Sequence, residues 1–173
     1  YIVIFSGLYD QISVKIHLYA FVNVGNHPNI PVMVCNHFVT LVLHWGVAYH
    51  RGKPMAFITS LQDRIFSLGV GERLVMCGGW RHLKGGHAIM YVFEREDEEH
   101  FSFTVCNTGD GVGQHPCSAE TFPKTKFRTS MTLPGVPQSQ FSVLWLLHLC
   151  RLRQKPAQAN LPGQFYGVLL PRL

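Results

Sequence analysis

Charge is in short supply in this chain: acidic and basic side chains together make up 14% of it, where roughly 25% is ordinary for a soluble domain. With 47% hydrophobic residues, disorder over most of the length is excluded. The 15 basic residues outnumber the 10 acidic ones, but apart from Arg151, Arg153 and Lys155 they are scattered. A nucleic-acid surface gathers them on one face, so no nucleic-acid partner is expected. The five cysteines, Cys35, Cys77, Cys106, Cys117 and Cys150, include no CxxC pair, and no secretory signal precedes them. A disulfide scaffold is therefore not the expectation, and a reduced intracellular protein, cytoplasmic or nuclear, is. Ten histidines are present, yet none falls into HExxH or a zinc-finger spacing, so neither a metal nor a cofactor is expected. No internal repeat is visible. There is also no initiator methionine, which suggests a fragment with the remainder of a larger parent chain as its partner.

One stretch, Ile30 to Tyr49, lacks formal charge over about the length that crosses a bilayer. Asn36, His37 and His44 inside it are costly in hydrocarbon. A buried helix or strand pair is the better reading, and no membrane is expected.

Residues 1–52 are otherwise poorly defined. Ile2 to Phe5 and Ile12 to Val24 have strand character, Gly25 to Asn29 is a breaker cluster, and a strand at Val32 to Cys35 hands over to a helix from Asn36 to Tyr49. Residues 53–153 read as the α+β core. Pro54 followed by Met55, Ile58, Leu61, Ile65 and Leu68 at spacings of three and four predicts an amphipathic helix, which Gly69 and Gly71 end. Leu74 to Met76 is a short strand, Gly78 to Gly86 a glycine-rich loop, Phe127 to Leu133 a strand and Pro134 to Pro137 a turn. Phe141 to Leu152 is a second helix, apolar round most of its circumference. Residues 154–173, interrupted by Pro156, Pro162 and Pro171, read as a tail or linker. The fold expected is α+β: an antiparallel sheet of about four to six strands flanked by two or three helices.

The most constrained stretch is Ala88 to Phe93, a run of charge from Glu94 to Glu99, then Phe101 to Cys106. Two apolar strands joined by a solvated tip form a β-hairpin. His87 stands where its first strand starts and Asn107 where its second ends, so antiparallel pairing makes them neighbours. An imidazole beside an amide oxygen has its tautomer fixed and serves as a general base near neutral pH. A turn with a hydrogen-bonded histidine, and an Asx-turn at Asn107-Thr108-Gly109, account for the same residues without catalysis. Asp110 is a second candidate orienting group.

The pattern Gly86-His87-Ala88, a hydrophobic strand, a charged turn, a second strand and Asn107-Thr108-Gly109 resembles the histidine and asparagine half of papain-like cysteine peptidases, over about 25 of the 173 residues. The resemblance implies His87 as base and acid, Asn107 as its orienting partner and an upstream cysteine at a helix N-terminus as nucleophile. Cys35 is the cysteine well upstream. It lies 52 residues before His87, against about 130 or more in papain relatives, and lacks their glycine-rich approach and following tryptophan. Cys77, before Gly78-Gly79-Trp80, is the second candidate, reached only if the glycine loop folds back on the imidazole. Cys106 points to the face opposite Asn107, and Cys117 and Cys150 read as structural.

The expected function is therefore a cysteine peptidase-like hydrolase domain acting on a peptide or isopeptide bond of a protein or peptide substrate. Gly79, Trp80 and Gly86 would line its substrate site. An incomplete or inactive fragment, or a non-catalytic interaction domain using Trp80 and the glycine loops as a binding edge, is the alternative. A metal-binding domain of scattered His and Cys is the weakest reading.

Overall fold

The structure, a computed structural model, describes residues 52–82, 85–121, 124–154 and 161–173. Cys35 and the strands and helix read from residues 1–51 lie outside them.

Helix α1 (Pro54–Phe66) starts with Pro54 at its first turn, where the missing N–H costs nothing. Ile58, Leu61 and Ile65, at spacings of three and four, are buried, whereas Met55, expected on the same stripe, is exposed. Its C-terminal carbonyls are met by Arg95, whose Nη1 donates to Phe66 O at 2.8 Å and to Leu68 O at 3.2 Å. A guanidinium there also complements the negative end of the helix dipole.

Strands β1 (Arg73–His82), β2 (Gly85–Arg95) and β3 (His100–Cys106) form a meander. A separate hairpin of β4 (Cys117–Thr121) and β5 (Lys124–Phe127) follows, then β6 (Ser130–Pro137). The main sheet is antiparallel in the order β1-β2-β3-β6. Together with the helices it makes an α+β fold, within the expected range of strands.

Three local expectations fail, each for a tertiary reason. Of the segment expected as a glycine loop, Gly78 to His82 and Gly85 to Gly86 are strand, because Gly78 lies under the Tyr91 ring and Gly79 adopts a φ of 124° beside the His87 carbonyl. Phe127 and Leu133, expected in one strand, belong to β5 and β6 respectively. Pro134 to Pro137, expected as a turn, completes β6. That strand is at the sheet edge, where proline is tolerated, and a register shift between Phe101 and Phe103 accompanies Gly135 at a φ of 65°.

One face of the sheet carries Leu74, Met76, Trp80, Ile89, Tyr91, Phe93, Phe101, Phe103 and Val105, all buried. Against it packs α2 (Val143–Arg151), capped by Ser142 Oγ accepting from Trp145 N at 3.2 Å. Phe141 meets the Phe93 ring and Trp145 the Phe103 ring edge-on, with centroids 5.3 and 5.4 Å apart, and Phe141 lies tilted to Phe103 at 6.1 Å. Burying each such side chain contributes about 2 kcal/mol.

The expectation of an aperiodic tail does not hold over 161–173. Helix α3 (Leu161–Gln164) continues as a π turn over Phe165–Leu169 and a 3₁₀ turn over Leu170–Arg172. Leu161, Phe165, Tyr166, Leu169 and Leu170 join the core, and Trp145 Nε1 donates to Leu169 O at 3.0 Å. Pro162 and Pro171 fall in first turns, where they do not break a helix.

Candidate functional site

The base of the site is set by strand register. Trp80 of β1 pairs directly with His87 of β2, so both side chains project to the same, core-facing side. There the two rings lie 5.3 Å apart at 41°, with Trp80 buried and His87 half-buried. Asn107 follows the end of β3 and anchors the chain there by donating its backbone N–H to Thr129 O at 2.8 Å. His87 Nε2 and Asn107 Oδ1 are 2.8 Å apart. Because an amide oxygen only accepts, Nε2 carries a proton, and in the neutral ring the lone pair is then on Nδ1.

The orientation of the carboxamide follows from its other partners. Oδ1 also accepts from Gly109 N at 2.9 Å, while Nδ2 donates to Asp110 O at 2.7 Å and to Tyr166 Oη at 2.9 Å. Exchanging O and N would set donor against donor and acceptor against acceptor. The Asx-turn and the imidazole contact are thus not rivals: one oxygen uses two lone pairs for both. The Asp110 carboxylate accepts from Trp80 Nε1 at 2.9 Å. A side chain at Gly109 would come within 2.5 Å of His87 Cε1 and 3.2 Å of Nδ1, so glycine is what lets the loop lie against the ring.

Behind Asn107, Tyr166 Oη lies 2.8 Å from His115 Nε2, and His115 Nδ1 lies 2.9 Å from Arg128 O. Neither Tyr166 nor His115 was legible as a site residue. The signal for Tyr166 was there in Leu161, Phe165 and Leu169, four residues apart. Burial holds the His115 imidazole below its ordinary 6.5, against a smaller opposing effect of the bond to Arg128 O. The unfolded chain therefore binds this proton at a higher pH than the folded one. Stability is expected to be fully present above pH 6.5 and to fall as the pH drops below it. Urea titrations between pH 7.5 and 5 check this, with a flatter profile expected for His115→Gln; equal slopes in the two proteins would contradict it.

The cysteines divide clearly. Cys77 stands three residues before Trp80 and so on the sheet face opposite His87, and burial pushes its thiol up to about 11. Cys106 is on that opposite face too, its thiol also raised by burial. Cys150 is buried in α2 with its thiol pushed up to about 12, again by burial. Cys117 is exposed on β4, where its Sγ lies 3.4 Å from Lys126 O. The structure thus joins His87 to Asn107 and sets Cys77 apart from both. Of the residues expected to line a substrate site, Gly86 is exposed, whereas Gly79 is buried against the His87 carbonyl and Trp80 is buried beside the imidazole.

No protein-family model, curated protein or solved structure matches this chain. Among the described residues, no cluster of three or more His, Cys, Asp or Glu side chains could hold a metal ion. No described helix is long and apolar enough to cross a membrane.

Proposed function

We propose that the chain is a cysteine peptidase-like hydrolase domain that cleaves a peptide or isopeptide bond in a protein or peptide substrate. The observation that carries this reading is the 2.8 Å contact between His87 Nε2 and Asn107 Oδ1, which sets the lone pair of the imidazole at Nδ1. Cys35 is the nucleophile of the reading, since the other four cysteines are each turned away from the imidazole or held elsewhere. In the reaction His87 Nδ1 takes the Cys35 thiol proton and the thiolate attacks the carbonyl carbon. His87 then returns the proton to the departing amine as the C–N bond breaks, and water, deprotonated by the same imidazole, resolves the thioester. Asn107 holds the ring throughout. A reducing compartment, the cytoplasm or nucleus, is the location that suits a free catalytic thiol.

Alkylation by iodoacetamide at pH 7 tests the proposal, with Cys117 as an internal standard for an ordinary exposed thiol. Cys35 is expected to react about tenfold faster than Cys117, because an activated thiol is mostly thiolate at that pH, and His87→Ala should abolish the difference. Uniformly slow labelling of all five cysteines would instead make the chain a non-catalytic interaction domain.

A further inference from the structure

The hydrogen bonds behind Asn107 run in one direction only. Asn107 Nδ2 must donate to Tyr166 Oη, so the single phenolic proton is left to donate to His115 Nε2. His115 Nδ1–H in turn donates to the Arg128 carbonyl. Every group in this chain has the partner its chemistry requires, and Asn107, Tyr166 and His115 are 1%, 8% and 3% exposed. We propose that Tyr166, backed by His115, is the positioning residue that locks the Asn107 carboxamide with its oxygen toward His87. This rests on the reading of His87 as the base, whose tautomer it would fix from the other end of the network.

Two further features fit Tyr166 to this task. Its ring is clasped by Phe165, His115 and Trp80, with centroids 4.8, 5.5 and 6.3 Å away. The loop after Asn107 is also shaped around it: Gly111 has a φ of 83°, and a side chain there would come within 2.8 Å of Tyr166 Cε2. Burial raises the phenol above its ordinary range, outweighing the opposing bond from Asn107. The hydroxyl therefore keeps the proton it donates to His115, whose imidazole is kept neutral and able to accept. Without the hydroxyl, Nδ2 keeps one partner instead of two, and the preference for the correct amide orientation weakens by the worth of one hydrogen bond.

The test is long-range proton–nitrogen correlation spectroscopy of the His87 ring in the full chain, wild type against Tyr166→Phe. The wild-type ring is expected to show a protonated Nε2 and an unprotonated Nδ1. In Tyr166→Phe both nitrogens should move toward their tautomeric average, a loss of about tenfold in tautomer preference, while the backbone amide spectrum stays folded. A ring still locked in Tyr166→Phe would overturn the role of Tyr166 and leave the base reading intact. A wild-type ring that is averaged, or protonated on Nδ1, would overturn the base reading itself. Should Tyr166→Phe fail to fold, exchange of the two Asn107 Nδ2 protons in the wild type decides the matter. Two slow protons support the lock, and one exchanging like a solvated amide refutes it.

Discussion

Replacing Asn107 by alanine is expected to cost about 3 kcal/mol of stability and, under the proposed hydrolase function, to lower turnover about a hundredfold. The side chain is 1% exposed and makes hydrogen bonds to His87, Gly109, Asp110 and Tyr166. Alanine leaves all four partners short, the Tyr166 hydroxyl in a buried place and the other three in partly buried ones, and an unmet buried polar group costs more than the net worth of its bond. For a domain of this size the loss corresponds to a fall in Tm of about 10 °C. The kinetic effect has a separate origin, since the imidazole then has no acceptor to keep its proton on Nε2. Thermal unfolding and hydrolysis assays on the same preparation check both parts. A variant with unchanged Tm would show that the four bonds are not formed in solution, and unchanged turnover would remove Asn107 from the mechanism.

Gly79→Ala is expected to destabilise the fold by about 4 kcal/mol, although it adds a single methyl group. The backbone φ there is 124°, a conformation L side chains rarely adopt. The new Cβ would overlap the His87 carbonyl oxygen and lie 2.9 Å from its carbon. Those atoms are main chain and have no rotamer through which to retreat, so β1 and β2 must part at the pair Gly79 and Ala88. A lowered urea midpoint with an unchanged dependence on denaturant is the expected signature. A loss under about 1 kcal/mol would mean that the strands do not meet in this register.

What the sequence made legible was whatever depends on neighbours in the chain. The proline start and apolar spacing of α1, the apolar runs of β2 and β3 on either side of a charged tip, and the placing of His87 opposite Asn107 are all short-range patterns. Gly78 and Gly79 were misread because glycine was taken as punctuation, whereas here it makes room for the Tyr91 ring and the His87 carbonyl. Pro134 and Pro137 were misread in the same way, since nothing in the local sequence tells that β6 is an edge. The partnership of Tyr166 with Asn107 spans 59 residues and comes into being only when the C-terminal turns dock. Only a helical stripe, obscured by the prolines around it, hinted at that docking.

Arg95 has a consequence beyond closing α1. Its guanidinium donates to Phe66 O, Leu68 O, Asp97 O and Glu98 O and lies over the Phe101 ring. One side chain therefore rivets the first helix to the far tip of the hairpin whose opposite end presents His87. Amide protons of the last turn of that helix and of the hairpin tip should consequently exchange with solvent as a single unit, through one shared opening event. The imidazole thereby sits on a lever clamped at both ends, by a guanidinium at the outer end and a carboxamide at the inner.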